Sequence, residues 1–454
     1  MIRKLLVANR GEIAVRVIRA ARELGIQTVG VFSEADRDAL FVRYADQSVC
    51  IGPPPLSDSY LFYQNILAAA QSTGADAIHP GYGFLAENAS FAEACRALDL
   101  TFIGPAPQAI RKMGDKATAK RLMKEAGVPT VPGSEGVLGS LAEARTLAAE
   151  IGYPVVIKAT AGGGGRGMRI VGDGGELENA FHAAVNEAQQ AFGDSGVYLE
   201  KFIQDPKHIE IQVLGDKHGQ VVHLFERDCS IQRRYQKLLE EAPSPVLTEA
   251  TRAAMGEIAV TAARSVRYDS AGTIEFIYDG RSRQFFFIEM NTRIQVEHPV
   301  TEMITGVDLL QWQIRVAAGE RLPLRQEEIV RRGHAIECRI NAEDPQKGFL
   351  PQTGTLSQYI VPGGPGVRVD SGVYPGYAIP PFYDSLLAKL VVWGETRKDA
   401  VLRLQRALDE FIIEGVATTI PFHQRIVRHP EFHRGAYTTD FIRRITAEEV
   451  ANAC

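Results

Sequence analysis

Long apolar runs are missing from this sequence. No stretch approaches the ~18 consecutive apolar residues that a membrane helix needs. The opening Met1-Ile-Arg-Lys-Leu-Leu-Val-Ala-Asn-Arg10 turns polar too soon for a secretory signal. Neither sign of charge dominates: 50 Lys and Arg stand against 55 Asp and Glu, a net charge of −5, so no nucleic-acid partner and no membrane surface is expected. Cysteine is scarce. Cys50, Cys95, Cys229, Cys338 and Cys454 are odd in number and lack metal spacing, which excludes a disulfide framework and a zinc site. They are expected as reduced thiols in a cytoplasmic protein, Cys229 and Cys338 as small buried fillers. Two nucleotide signatures are absent as well. Ala8-Asn-Arg-Gly-Glu-Ile13 offers one glycine where a dinucleotide turn wants G-x-G-x-x-G, and no Gly-Lys-Ser/Thr follows the later glycine cluster, which excludes a P-loop.

What is present is an α/β chain of 454 residues, long enough for about three domains. Residues 3–8, 11–24 and 26–32 read as strand, helix and strand, the helix ended by Gly25, and a further strand is expected near Ala75–His79. The loop His79–Asn88, rich in glycine after a strand, fits either ligand contact or a tight turn into a helix. Pro and Gly punctuate the chain at 104–107 and 132–136, with a helix carrying Lys116 between them. Pro154 to Lys158, a cluster of five glycines within Gly162–Gly167, and Met168–Val171 read as a hairpin with a mobile tip that could close over a polyphosphate. Lys158 ends the strand that feeds it. Val197–Ile203 reads as a strand running into a hinge, and in His208–Val213 the alternation puts His208, Glu210 and Gln212 on one face.

The densest chemistry lies in Glu289–His298, where Glu289, Asn291, Arg293, Gln295 and Glu297 alternate with Met290, Ile294 and Val296. Period two predicts an extended segment aiming the polar set one way. Upstream, Thr273–Tyr278 and Gln284–Glu289 form a hairpin candidate around Asp279-Gly280, which would bring Glu275 opposite Glu289. Like charges so placed call for a cation, and two carboxylates with the Asn291 carbonyl are hard oxygens suited to Mg²⁺ or Mn²⁺. The run Asp228–Glu241 is dense in charge, which by itself fits a solvated face.

Lys116 and Lys158, the glycine flap, the Glu275/Glu289/Asn291 set and Glu289–His298 together resemble the ATP-grasp fold. Ala8-Asn-Arg-Gly-Glu-Ile-Ala14, His79–Asn88, Lys158–Met168, Gln232-Arg-Arg-Tyr-Gln-Lys237, Glu289–His298 and Glu337-Cys-Arg-Ile-Asn-Ala-Glu343 are similar to biotin carboxylases in particular, from residue 2 to roughly 445. The resemblance implies a Rossmann-like amino-terminal domain (1–113), a linker and lid (114–203), an ATP-grasp core (204–331) and a carboxy-terminal biotin carboxylase domain (332–446). It implies that ATP and bicarbonate give carboxyphosphate, which carboxylates biotin carried on a separate protein. By that resemblance Lys116, Lys158, Gly164, Gly165 and His208 would hold phosphates or ribose, and Glu200, Lys201, Phe202 and Ile203 would meet adenine. Glu275, Glu289 and Asn291 would bind the metal beside ATP. Lys237, Arg293, Gln295 and the Val296 amide would hold bicarbonate, Glu297 would be its base, and Arg339 would face the biotin ring. Tyr235 stands where the family often has His, which leaves its contact with nucleotide open. No Met-Lys-Met biotinylation motif and no carboxyltransferase-like segment occurs. A free-standing subunit is therefore expected, and the resemblance implies a homodimer. Its partners would be a biotin carboxyl carrier protein and carboxyltransferase subunits, those of acetyl-CoA carboxylase first and those of a pyruvate, propionyl-CoA or other carboxylase as the alternative. Arg16, Arg19 and Glu23 recur at helical spacing on a face such a dimer could use.

Overall fold

The computed structural model describes residues 2–159, 168–192 and 195–452. The chain opens as predicted, with strand Lys4–Val7, helix Gly11–Glu23 and strand Gln27–Ser33. Leu5, Leu6 and Val7 are fully buried, as a parallel strand covered on both faces requires. The helix is buried on nearly every side, from Glu12 through Ile18 and at Ala20 and Ala21, with Arg19, Arg22 and Glu23 left exposed. Gly25 follows it at φ +73°, a conformation that side chains with a Cβ rarely adopt. Five parallel strands complete this Rossmann-like unit in the order Gln47–Gly52, Gln27–Ser33, Lys4–Val7, Ala77–His79, Thr101–Phe102.

The sheet that carries the site is antiparallel and eight-stranded. Its order is Gln284–Asn291, Ala271–Asp279, Lys207–Gly215, Val221–Arg233, Gln236–Ala242, His334–Asn341, Leu386–Gly394, Val367–Ser371. It continues across residue 332 through the pairing of Gln236–Ala242 with His334–Asn341, and Ile231, Leu239, Ile336, Leu390 and Leu404 share the core beneath that junction. Helix Glu249–Ser265 covers the other half, packing Met255, Ala259 and Ala262 with Ile209, Ile211, Ile274 and Phe276. A three-stranded antiparallel sheet, ordered Met168–Val171, Val155–Ala159, Val197–Lys201, stands beside it. The connector stitches the two sheets together, since Thr130 bridges Phe287 on the large sheet and Gly133 bridges Glu200 on the small one.

One irregularity shapes the site. Along strand Gln236–Ala242, Leu239 pairs with Ile231 but Lys237 pairs with Gln232, so the register slips by one residue at Leu238. Such a bulge breaks the alternation of faces. Leu238 and Leu239 both enter the core, while Lys237 and Glu240, three residues apart, reach one cluster of charges. The charged run is accordingly no solvated face: Asp228, Glu240 and Glu241 are buried. Cys95, Cys229 and Cys338 are buried free thiols, in keeping with a filler role. Among the described residues no helix is long and apolar enough to cross a membrane.

Candidate active site

The hairpin forms as the sequence predicts. Glu275 pairs directly with Glu289, and Thr273 with Asn291. Burial, then the charge of Glu275, raises the Glu289 carboxyl above the ordinary range, and the cation beside it, Lys116, lies 3.9 Å away. Asn291 donates to Glu275 and accepts from Arg293, each at 2.8 Å. Two facing carboxylates and an amide carbonyl, all hard oxygens, fit Mg²⁺ or Mn²⁺; such an ion would neutralise phosphate charge there when bound.

The predicted extended segment does not continue to Glu297. The strand ends at Asn291, and Glu297 is the N-cap of helix His298–Thr305, with φ −79° and ψ 7°. Pro299 in the first helical turn favours that early start, because its fixed φ suits a helix and its missing N–H costs nothing there. The polar side chains converge nevertheless, through the bend and their own length. Gln295 donates to Glu275 at 2.8 Å, and Glu297 accepts from Lys237 at 2.6 Å.

Lys237 is the centre of the cluster. Its ammonium donates to Glu210 at 2.5 Å, Glu297 at 2.6 Å and Glu275 at 2.9 Å. Glu297 also accepts from Arg339 at 2.9 Å, and Arg339 donates to Glu240 at 2.6 Å. Behind them Arg227 is wholly buried and donates to Glu210, Gln212, Thr273, Gln295 and Thr301. His208, Glu210 and Gln212 do share a face: His208 lies 3.0 Å from Glu275 and 3.8 Å from Glu210, while Glu210 and Gln212 meet at Arg227.

These contacts set the charges. Burial alone would lower the His208 pKa, but Glu275 and Glu210 outweigh it and push it up to about 9. Burial alone would raise the Glu297 carboxyl; Lys237 and Arg339 outweigh it and hold it below the ordinary carboxylate range, ionised. Glu275 is held lower still by Lys237 and His208 against its own burial. The arrangement is a chain of carboxylates and cations in which an ionised Glu297 lies between two cationic donors, Lys237 and Arg339.

A second group lies on the small sheet. Glu200 is clasped by Lys158 at 2.7 Å and by Lys120 at 2.6 Å. Lys201 turns away, its ammonium donating to the carbonyls of Gly152 and Tyr153, so its side chain is committed elsewhere. The amides of Lys201 and Phe202 are engaged by Pro132 and Pro154, and Ile203 follows half-buried past the end of the strand. Tyr235 is not gathered into the cluster. It sits on the tight turn of the hairpin between Arg233 and Gln236, where Arg234 and Tyr235 both take positive φ, and is 66% exposed. Gly164 and Gly165, with the rest of the Gly162–Gly167 flap, lie outside the described residues. The Val296 carbonyl accepts from Lys389 at 3.1 Å.

Several participants carry little or no signal in the sequence. Glu87, inside the His79–Asn88 loop, accepts from Arg293 at 2.8 Å and from the Thr292 amide at 3.1 Å, so this loop anchors the bend after Asn291. Lys120 lies one helical turn beyond Lys116, a spacing that could have marked it. Arg227 carries no local signal and Glu240 only its place in the charged run Asp228–Glu241, since their partners come from other elements.

An antiparallel sheet bearing facing carboxylates, with a small lysine-bearing sheet stitched to its edge, defines the ATP-grasp class. Family models for the biotin carboxylase N-terminal domain, the carbamoyl-phosphate synthase L chain ATP-binding domain and the biotin carboxylase C-terminal domain match residues 1–110, 115–325 and 337–444. The chain belongs to the biotin carboxylase family of ATP-dependent enzymes. It is 59% identical to biotin carboxylase 1 of Bacillus subtilis, covering 97% of this chain and 98% of that one. It is 56% identical to a pyruvate carboxylase subunit of Methanothermobacter thermautotrophicus, covering 97% and 90%. Among solved structures, the biotin carboxylase domain dimer of Hydrogenobacter thermophilus 2-oxoglutarate carboxylase, in complex with MgADP, ADP and bicarbonate, superposes with a TM-score of 0.89 at 56% identity, covering 98% of each chain.

Proposed function

We propose that this chain activates bicarbonate with Mg·ATP, Mn²⁺ serving as a substitute ion, and transfers the carboxyl group to biotin on a separate carrier protein. The observation that carries the reading is Glu297 held between Lys237 and Arg339, with Lys237 also touching Glu275 of the metal pair at 2.9 Å. A base, an anion grip and a metal set thus lie within one side chain of each other. In this reading Glu275, Glu289 and Asn291 hold the ion, and Lys116, Lys158, Gly164, Gly165 and His208 hold phosphates or ribose. Glu200, Lys201, Phe202 and Ile203 border adenine, and Tyr235 approaches nucleotide only if its hairpin moves. Lys237, Arg293, Gln295 and the Val296 amide receive bicarbonate, Glu297 deprotonates it, and Arg339 faces biotin. The carrier and carboxyltransferase partners of acetyl-CoA carboxylase are the first choice; relatives named for pyruvate and 2-oxoglutarate carboxylases support the alternative of another acceptor.

ADP formation measured with free biotin, with and without bicarbonate, tests the function. Turnover that ignores bicarbonate would sink it. Glu289→Gln should weaken the Mg²⁺ dependence of turnover by at least the roughly tenfold that even an outer-shell partner of a metal costs, with the fold intact; an unchanged Mg²⁺ titration would remove Glu289 from the metal site.

A homodimer is also proposed, supported by the dimer of the Hydrogenobacter domain. The face expected from sequence needs one revision. Arg16 is turned inward, paired with Glu302 at 3.0 Å and Asp308 at 2.7 Å, whereas Arg19 and Glu23 are exposed. Sedimentation at micromolar concentration checks it, and a monomer there would refute it.

A further inference from the structure

Strand pairing sets Glu240 directly opposite Glu337, which lies two residues before Arg339 on its strand. Cross-strand partners in an antiparallel pair have Cβ atoms about 4.5–5.5 Å apart on one face. Both residues are fully buried. Glu240 has a cation, Arg339, at 2.6 Å, but Glu337 has none at ion-pair distance among the described residues, and neither of its oxygens accepts a hydrogen bond from them. Lys389, the other buried cation on this side, is committed to Glu12 and the Val296 carbonyl, each at 3.1 Å, and lies 3.9 Å from Asp370. Two ionised carboxylates facing each other in such a place, with only Glu240 ion-paired, are not sustainable, and the usual resolution is that the pair keeps a proton.

Resting on the function proposed above, we propose that Glu240 and Glu337 hold one proton between them at neutral pH and so leave Arg339 with positive charge to present to biotin. Arg339 already faces two carboxylates, Glu240 and Glu297. A third full negative charge beside it would cancel the field it offers to a developing anion. Glu240 and Glu337 are thus positioning residues that act through Arg339. The ionisable groups facing the pair are Arg339, Glu297, Lys237 and Lys389, with the thiols of Cys229 and Cys338 nearby. The electrostatics agree with the geometry. Burial, and after it Glu297, pushes Glu240 up to about 7 in spite of Arg339, and burial with the charge of Glu240 raises Glu337 well above the ordinary carboxylate range in spite of Lys389. The pair titrates as a unit, so the proton belongs to both.

The sign of the consequence follows. As pH rises and the pair gives up its proton, the pair gains its second negative charge, the third beside Arg339 once Glu297 is counted, and biotin carboxylation falls. Glu337→Gln cannot acquire that charge, so its alkaline fall should lie at higher pH by at least about one unit, the size of shift a neighbouring like charge produces. Bicarbonate-dependent ATP turnover, followed in the same samples, should show no such displacement. An alkaline limb at the same pH in the wild type and in Glu337→Gln would overturn the proposal. A second measurement needs no activity: the infrared difference between the wild type and Glu337→Gln at neutral pH should show the carbonyl band of one protonated carboxyl, lost on raising the pH. Absence of that band would overturn the proposal even if the kinetics agreed. If the protein makes no carboxybiotin at all, the proposed function fails while the infrared titration still decides whether the pair keeps its proton.

Discussion

Glu297→Gln is expected to slow bicarbonate-dependent ATP consumption by on the order of 10²–10⁴-fold, the usual cost of losing a general base, with the apparent affinity for ATP nearly unchanged. Glutamine keeps the size of the side chain and can still accept from Lys237, but it has no useful proton affinity. The geometry also explains how a carboxyl held below the ordinary range can work as a base. Lys237 at 2.6 Å and Arg339 at 2.9 Å keep Glu297 ionised but weakly basic. In the proposed reaction bicarbonate, an anion, would compete for the same donors, and each share of positive charge it took would raise the proton affinity of Glu297 at the moment the proton must move. Activity needs the ionised carboxylate, and because Lys237 and Arg339 hold the Glu297 carboxyl below the ordinary range in the free enzyme, kcat/KM calculated on the bicarbonate ion should show no acid limb from Glu297 near neutral pH. Steady-state rates with bicarbonate saturating decide the point; a loss smaller than about tenfold would remove Glu297 as the base.

The parts of the site that were legible in the sequence are those encoded by neighbours along the chain. The pairing of Glu275 with Glu289 follows from two strand-like runs and a short turn, and the sheet reproduces it. His208, Glu210 and Gln212 share a face because strand alternation is local. The segment after Asn291 misleads for the same reason: period two continues in the letters, but the backbone bends and starts a helix at His298. The bulge at Leu238 could not be read at all, since register slips depend on the partner strand, and yet it is what gives Lys237 and Glu240 a common target. Arg227 shows the limit most clearly. Its partners are drawn from strands Lys207–Gly215 and Ala271–Asp279 and from the bend and helix beyond Asn291, so only the folded sheet assembles them. Lys201 is the converse case, a residue whose motif position suggests a ligand contact while its ammonium is spent on the carbonyls of residues 152 and 153.

Arg339→Ala is expected to uncouple the two half-reactions, cutting carboxybiotin formed per ATP consumed by about 10²–10³-fold, the range for removing one preorganised donor from a developing anion. The fold should survive the change, because the backbone carbonyl of Arg339 is anchored by Thr419 at 3.0 Å and by the His423 ring at 2.8 Å, independently of the side chain. Truncation frees Glu240 and Glu297 from a shared cation. Glu297 keeps Lys237 at 2.6 Å, and with one cation fewer its carboxyl becomes the stronger base, so the step that consumes ATP is not starved of its proton acceptor. Biotin loses the cation that would stabilise its enolate-like form, and nothing in the cluster replaces it: Lys237 is held by Glu210, Glu275 and Glu297, and Arg293 by Glu87 and Asn291. Arg339→Lys offers a graded control, since it keeps the charge but not the fork that spans Glu240 and Glu297. The decisive quantity is the ratio of carboxybiotin to ADP in each variant. A ratio that stays at the wild-type value in Arg339→Ala would take Arg339 out of the second half-reaction and leave it as a support for Glu297 alone.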